Sequence, residues 1–277
     1  AVRTNSWPES GEVWVALGLV QSPGALDGGL RGTPRSPFFM VRPAGPAHSL
    51  GSVPRGVIDP AMSKVFDPSC RRCPRLAAFL DSVQLDHLGY YCKPVPPFGD
   101  PKARLLIVGL APGMHGANRS GRPFTGDHAG ILLYATLFKF GLATSPISTA
   151  TDDGLELLNA RITNAVKCLP PANKPLPQEI KTCNAYLRAE LAASHTVRAI
   201  LALGVIAHEA VLRACDLPTK LHRFAHGAEH RLQSGPVLLD SYHCSRYNTS
   251  TRRLTTEMFE AVVGRARAIA DNANPAT

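Results

Sequence analysis

The chain has 277 residues, of which 44% are hydrophobic, and a formal net charge of +9 at pH 7. This length accommodates one domain with a buried core, alone or with a tail. No apolar run approaches the roughly 18 residues that span a membrane, so we expect no membrane-spanning segment. The basic balance favours a polyanionic partner, either nucleic acid or an anionic surface, over a neutral one.

Residues 1–62 are rich in proline and glycine and have little hydrophobic periodicity. Such a segment buries too little apolar surface to offset the entropy of ordering it. We therefore expect an irregular or disordered N-terminal extension over 1–62 and a folded domain over 63–277. Glu9 and Glu12 precede the short apolar run 13–20, where an export signal carries positive charge. We expect no export signal and a cytoplasmic location.

Strand and helix patterns alternate after residue 63. Apolar runs predict strands at 104–110, 161–166, 197–203 and 236–240, and helical spacing predicts helices at 131–140, 178–193, 205–214 and 251–270. Strands separated by helices indicate an α/β fold with three layers, in which helices cover both faces of a central four-stranded parallel sheet.

Three segments follow predicted strands and are expected to meet at one edge of this sheet. The glycine-rich loop 109–130 follows the first strand, "TNAVKCLPP" brings Asn164 to the end of the second, and "DSYHCSRYN" places His243 after the fourth. Ligands of open α/β sheets bind beyond the carboxyl ends of the strands. We therefore expect a site built from these three segments.

Four cysteines have the number and type of donors that a metal site needs. Cys70 and Cys73 form a C-x-x-C pair, and Cys168 and Cys183 flank a proline-rich loop. Four thiolates suit zinc or an iron–sulfur cluster, and spacing alone does not choose between them.

The three other cysteines have different expected roles. Cys92 is an alternative ligand, and Cys215, at the end of an apolar helix, is expected in the core. Cys244 adjoins His243, but adjacent side chains usually point apart, which disfavours a Cys–His nucleophile.

The motifs "GLAPGMHGANRSGRPFTGD", "TNAVKCLPP" and "YHCSRYNTSTRRLT", together with the four cysteines, closely resemble the type B (family 5) uracil-DNA glycosylases. The resemblance covers about residues 70–254. It implies a monofunctional DNA glycosylase that flips uracil out of the stack and hydrolyses its N-glycosidic bond to start base excision repair. We expect the protein to be a monomer. It also implies a four-stranded parallel sheet and a structural 4Fe–4S cluster on Cys70, Cys73, Cys168 and Cys183. DNA binding would associate the protein with the nucleoid.

The catalytic carboxylate is expected late in the glycine-rich loop. In related glycosylases an acid or amide follows the first glycine of this loop, but here that position is Leu110, as the resemblance to type B enzymes implies. The nearest carboxylate is Asp127, which resemblance also marks as catalytic. The alternative is that Asp127 only caps the following helix.

Other residues of the three segments suit the departing base. His243 is placed to donate to a base carbonyl, and Asn164 to read the base edge or position water. Phe124 is the candidate for stacking on the flipped base, and His115 for lining the pocket. Their alternatives are ordinary structural roles: a satisfied histidine, a turn asparagine and a core aromatic.

The remaining predicted contacts are to the DNA backbone and the DNA stack. Gly109, Ala111 and Gly113 leave room for close backbone approach. Ser245, Arg246 and Tyr247 are expected to enter the minor groove, where Arg246 or Tyr247 fills the vacated space. By charge and position, four arginines are expected to contact phosphates, with an ordinary surface role as the alternative: Arg119, Arg122, Arg252 and Arg253.

Two other functions agree with part of the sequence. A non-catalytic, metal-stabilised nucleic-acid binding module agrees with the charge and the cysteines, but does not explain why Asp127, Asn164 and His243 gather at one edge. A nucleotide-binding enzyme is disfavoured because the loop lacks both GxxxxGK[ST] and a clean GxGxxG. Leu110 offers no polar discrimination, so the glycosylase is expected to accept hypoxanthine and other deaminated bases as well as uracil.

Overall fold

The structure, a computed structural model, describes residues 66–232 and 235–272. The irregular extension predicted over 1–62 lies outside the described residues. Within them, the helices are α1 (Pro74–Asp86), α2 (Ala117–Ser120), α3 (His128–Lys139), α4 (Pro177–Ala193), α5 (Val205–Ala214), α6 (Arg246–Ser250) and α7 (Thr256–Asp271). Short 3-10 turns occur at Pro171–Asn173 and Thr219–Leu221.

Six strands of the described chain form one sheet: β1 (Phe98–Gly99), β2 (Leu105–Gly109), β3 (Ala160–Asn164), β4 (Ala199–Leu203), β5 (Glu229–Arg231) and β6 (Val237–Ser241). Their order is β1-β3-β2-β4-β6-β5, with the four central strands parallel and the two edge strands antiparallel. The α/β class is confirmed, but the four-stranded sheet is corrected to six strands.

The two edge strands escaped prediction for a physical reason. β1 has two residues, and β5 reads Glu-His-Arg, so neither carries the apolar run that marks a buried strand. Both form because their backbones pair with β3 and β6. Tertiary pairing, not local preference, makes them strands.

Side chains of the central strands alternate between two packed faces. Leu105 and Ile107 face α3 and α7, whereas Leu106 and Val108 face α4 and α5. All four are buried, and each contributes about 1.5–3 kcal/mol through burial. The three predicted layers are therefore present, and they hold the carboxyl ends of β2, β3, β4 and β6 in fixed positions.

Two predicted boundaries near the site are wrong: the start of the last helix and the end of the second strand. The predicted helix 251–270 begins at Thr256, because the hydroxyl of Thr255 accepts the backbone N–H of Met258 and caps it. The residues before it form α6 and a turn in which Arg252 has a φ of 56°. The second predicted strand ends at Asn164, after which the amide of Ala165 bonds to Gly109 at the end of β2 and that of Val166 to Leu110 in the loop beyond it.

The topology places a crevice at the carboxyl edge. β3 lies on one side of β2 and β4 on the other, so the direction in which the chain crosses the sheet reverses at β2. Such reversals open the crevice where α/β proteins bind ligands. Every helix in the described part of the chain is too short or too polar to cross a membrane.

Candidate active site

Gly109, Asn164 and Phe124 are packed against one another at this edge. Gly109 ends β2 and pairs in register with Asn164, which ends β3. A Cβ on Gly109 would lie 2.4 Å from Oδ1 of Asn164 and 2.8 Å from Cζ of Phe124. Only a glycine at position 109 therefore permits this packing without displacing either side chain.

Phe124 is held in a strained conformation beside His243. Its φ is 56°, in the left-handed region that a bulky residue rarely adopts. Its ring is buried and stacks on the imidazole of His243, with centroids 5.9 Å apart and an interplanar angle of 29°. Backbone strain of this kind clusters at functional sites, where the surrounding structure maintains it.

Asn164 has an unpaired acceptor within this packing. The residue is 3% exposed, and its Oδ1 has no hydrogen-bond partner among the described residues. Buried polar atoms of native proteins are nearly always bonded, and an exception calls for a water or a ligand. Because this oxygen lies against Gly109 and Phe124, it is available to a donor that enters the crevice.

Asp127 caps α3 and presents its carboxylate to the glycine-rich loop. Oδ1 accepts the backbone N–H of Gly130 at 2.8 Å, and a Cβ on Gly116 would lie 2.6 Å from Oδ2. Burial raises the pKa of Asp127, against the opposing effect of the amides of Gly130 and Ala129. The helix cap that was predicted as the alternative role of Asp127 is thus present. The cap uses Oδ1 and leaves Oδ2 directed toward the loop, so capping does not preclude a catalytic role.

His243 follows β6 and is neutral. Burial lowers the pKa of its half-buried imidazole to about 4. The side-chain amide of Asn248 donates to the carbonyl of His243 at 2.8 Å and fixes the turn that carries the ring. A neutral imidazole still donates one N–H, so His243 can stabilise a developing negative charge without first taking up a proton.

Cys244 is buried and inert. Burial raises the pKa of its thiol to about 12, with the charge of Asp127 adding to the effect. The thiolate that a Cys–His nucleophile needs is therefore absent at neutral pH. This excludes the alternative in which Cys244 and His243 act together.

His115 belongs to a group of rings at the mouth of the crevice. The exposed His115 shares a 2.8 Å hydrogen bond, through Nδ1, with the hydroxyl of Tyr90. Tyr90 in turn stacks on His87, with ring centroids 4.4 Å apart. Tyr90 and His87 went unpredicted, because they lie in an irregular segment without periodicity or a motif.

The predicted DNA contacts divide into exposed and buried residues. Arg119, Arg246, Tyr247, Arg252 and Arg253 are exposed, and Leu110, Ala111 and Gly113 are partly exposed. Ser245 caps α6, because its hydroxyl accepts the backbone N–H of Asn248. The guanidinium of Arg253 also lies over the ring of Tyr242, 4.5 Å from its centroid.

Arg122 does not agree with its predicted role at a phosphate. It is 5% exposed, donates to Asp153 at 2.6 Å and to Thr125 and Ser148 at 2.8 Å. Burial alone would raise the pKa of Asp153, but hydrogen bonds from Arg122 and backbone amides lower it to about 2. The arginine is committed to this ion pair, and we assign it a structural role instead.

The four cysteines line one cavity between α1, the loop after β3, and α4. Cys70, Cys73, Cys168 and Cys183 are all free thiols there, beside Lys167 and Tyr186. Burial, with repulsion from the other thiols, raises the pKa of Cys168 to about 12, a cost that a bound cation would remove.

Two other cysteines lie apart from this cavity lining. Cys92 does not line the cavity of the four cysteines, but it lines the neighbouring cavity with Cys70, and it accepts a hydrogen bond from Nδ2 of Asn118 at 3.5 Å. Cys215, predicted in the core, is only partly buried, because it caps the exposed end of α5.

Comparison with known proteins agrees with this arrangement. Residues 96–267 match the profile of the uracil DNA glycosylase superfamily. The chain is 47% identical over 207 residues to a type-5 uracil-DNA glycosylase of Thermus thermophilus, covering 73% of this chain and 94% of the relative. It is 42% identical over 219 residues to the Pyrobaculum aerophilum type-5 enzyme, covering 78% and 94%, and 43% identical over 210 residues to that of Mycobacterium bovis, covering 73% and 78%.

The parallel sheet, its carboxyl-edge site and the profile match together define a DNA glycosylase. The chain belongs to the type-5 family of the uracil-DNA glycosylase superfamily. The family predicted from the three motifs is confirmed.

Proposed function

We propose that the protein is a monofunctional glycosylase that flips uracil out of DNA and hydrolyses the bond between base and deoxyribose, starting base excision repair. One observation carries the proposal: Phe124, Asn164 and His243, from three distant segments, pack together at one sheet edge, and Asp127 ends the loop that carries Phe124. Chemistry on a base requires its removal from the stack into such a pocket.

The base is held by stacking and by two polar groups. Phe124 supplies the stacking face, and the unpaired Oδ1 of Asn164 accepts an N–H from the base edge. The neutral imidazole of His243 donates to a carbonyl oxygen of the base, where negative charge develops as the base departs. His243 therefore binds the departing base better than the intact nucleotide, whereas Asn164 fixes the orientation of the base.

Asp127 acts on the sugar side of the reaction. As the bond from C1′ to the base breaks, its electron pair leaves with the base and the sugar gains oxocarbenium character. The ionised carboxylate stabilises that cation or orients the water whose oxygen bonds to C1′. The water loses one proton, and the departing base takes one up. Leu110 is inert at the position where related enzymes carry an acid or amide.

The DNA backbone is held by the loops that surround the pocket. Gly109, Ala111 and Gly113 allow backbone amides to approach it, and His115 lines the entrance. The exposed Arg119 and Arg252 contact phosphates, whose contribution weakens with salt. Ser245 begins the short helix α6, which presents Arg246 and the 71% exposed ring of Tyr247 to the minor groove. Tyr247 or Arg246 fills the gap left by the base.

The same pocket accepts hypoxanthine. Leu110 gives the pocket no polar group with which to reject the different edge of a larger deaminated base. Base release from duplexes that each contain one lesion tests this: hypoxanthine is expected to be released, and intact adenine not. Release of uracil alone would contradict the broader range.

We further propose that Cys70, Cys73, Cys168 and Cys183 hold a 4Fe–4S cluster. Four thiols on one cavity are a sufficient donor set. No three of these sulfurs lie within 4.8 Å of one another, whereas Zn–S bonds of about 2.3 Å would hold them about 3.8 Å apart. The spacing therefore favours the larger cluster over zinc. Its role is structural, because it would tie α1 to the loop after β3 and to α4. Iron and labile sulfide in equal amounts, near four per chain, test it; zinc in their place would contradict it.

Two substitutions at one residue test catalysis apart from capping. Asp127→Asn keeps an oxygen for the amide of Gly130 but removes the charge, whereas Asp127→Ala removes both. We expect Asp127→Asn to melt like the wild type and to release uracil about 100-fold or more slowly in single turnover. Asp127→Ala should in addition lose about 1 kcal/mol of stability with the cap.

DNA binding separates the enzyme from the alternative, a binding module without catalysis. Both Asp127 variants are expected to bind a uracil-containing duplex about as tightly as the wild type. If the wild type binds such DNA but releases no base, the binding module is correct. If Asp127→Asn retains the wild-type rate, the carboxylate has no role in the reaction.

A further inference from the structure

A second group of ligand-type side chains lies at the β5 edge of the sheet, away from the four cysteines. Nδ1 of His208 lies 2.7 Å from Oδ1 of Asp240, and Nε2 of His230 lies 3.0 Å from Oδ2. The donor atoms of these three residues all lie within 4.8 Å of one another. His208 and Asp240 are buried, and the side chain of His230 is 11% exposed.

The hydrogen-bond partners of the His208 ring make this group unusual. Nδ1 faces the carboxylate of Asp240, while Nε2 lies 2.9 Å from the carbonyl oxygen of His222. Both ring nitrogens thus face acceptors, but a neutral imidazole has only one N–H to donate. Either a second proton lies between the ring and Asp240, on one or the other, or a metal ion binds Nδ1. The second arrangement is the usual one for a ligating histidine, whose other nitrogen donates to a backbone carbonyl.

We propose that His208, His230 and Asp240 bind one divalent transition-metal ion of the zinc class. Two imidazoles and one carboxylate form a donor set that such ions prefer, and their separation suits metal–ligand bonds of about 2.0–2.2 Å. The partly exposed edge of His230 gives the ion a path from solvent. This site is distinct from the cysteine cavity and does not depend on the proposed reaction.

The ion would join three elements next to the catalytic loop. His208 lies on α5, His230 on β5 and Asp240 on β6, three residues before His243. The short, polar strand β5 pairs with β6 through three residue pairs, and Arg265 of α7 donates to the carboxylate of Glu229. A metal bridge would fix this edge of the sheet. Because His243 follows β6, the bridge would also help to fix the position of His243. We therefore assign the ion a structural role.

Zinc binding by the full-length protein tests the proposal. The protein, purified with its native cofactor, is dialysed against a chelator and titrated with Zn²⁺ by calorimetry. The key variant is His230→Gln, whose side-chain amide still donates to Asp240 but is a poor metal ligand. His195→Gln, at an exposed histidine outside the group, is the matched control.

We expect the wild type and His195→Gln to bind one more equivalent of Zn²⁺ than His230→Gln, with a Kd below about 1 µM. The cysteines are present in all three proteins, so any zinc that they take up cancels from the difference. Zinc should also raise the melting temperature of the wild type but not of folded His230→Gln. Equal stoichiometry and equal melting shifts in all three would overturn the proposal and leave a protonated His208 in a hydrogen-bonded network.

Discussion

A single methyl group on Gly109 is expected to disable the pocket. In Gly109→Ala, the new Cβ would lie 2.4 Å from Oδ1 of Asn164 and 2.8–2.9 Å from two ring carbons of Phe124. Ordinary contacts begin near 3.4 Å, so Asn164 must move by about 1 Å or the strand must shift. Both neighbours are buried, and Phe124 already has a strained backbone, so neither moves without cost.

The expected loss of stability follows from overpacking, and the expected loss of rate follows from displacement of the base-binding groups. Overpacking of this kind costs about 1–3 kcal/mol, which for a domain of this size lowers the melting temperature by about 2–12 °C. A displacement of about 1 Å at the base-binding groups is expected to slow base release by about 100-fold. The loss of activity should therefore far exceed what the loss of stability explains at 25 °C.

The assay is single-turnover release of uracil from a duplex oligonucleotide, run beside thermal denaturation. Gly89→Ala is the control, because a Cβ there meets nothing within 4 Å. It should match the wild type in both measurements. A Gly109→Ala protein with the wild-type rate would refute the packing argument and, with it, the assignment of Asn164 and Phe124 to the pocket.

The further predictions concern His243, two arginines and the cysteines. Because burial lowers the pKa of His243 to about 4, the single-turnover rate should stay level from about pH 8 to 6 and show no fall near 6.5. Between about pH 6.5 and 4 the unfolded chain takes up a proton that folded His243 refuses, so the wild type should lose stability on acidification faster than His243→Gln. Arg119→Ala should reduce the slope of log affinity against log salt by about 0.9 with little change in melting. Arg122→Ala should instead cost about 1–3 kcal/mol of stability, because Asp153 loses its ion pair but keeps its bonds to backbone amides; unchanged melting would contradict the structural role of Arg122. Cys168→Ser should lose bound iron and melt lower, whereas Cys92→Ser should keep its iron; the opposite pattern would place Cys92 in the ligand set.

Local sequence was sufficient to predict the features that depend on a single strand, helix or loop. The apolar run at 104–110 marked β2, Asp127 was recognisable as a possible cap of the helix that follows it, and the alternation of strands and helices indicated the three layers. Motif order identified the family, and the three loops after strands indicated where the site would form. These features depend on short-range preference and on the rule that parallel strands end at one edge.

Tertiary structure decided which side chains face the site. Arg122 and Arg119 are three residues apart in one basic loop, yet one is buried against Asp153 and the other is exposed. The cluster of His208, His230 and Asp240 was invisible because its members lie on three elements that only the sheet brings together.

The sequence by itself determined the family, the α/β layers and the residue types available for chemistry, because these are local or ordered along the chain. Only the fold decided that Asn164 has an unpaired oxygen, that His243 is neutral and that β1 and β5 complete the sheet. Burial and long-range pairing set each of these properties, and both depend on residues distant along the chain.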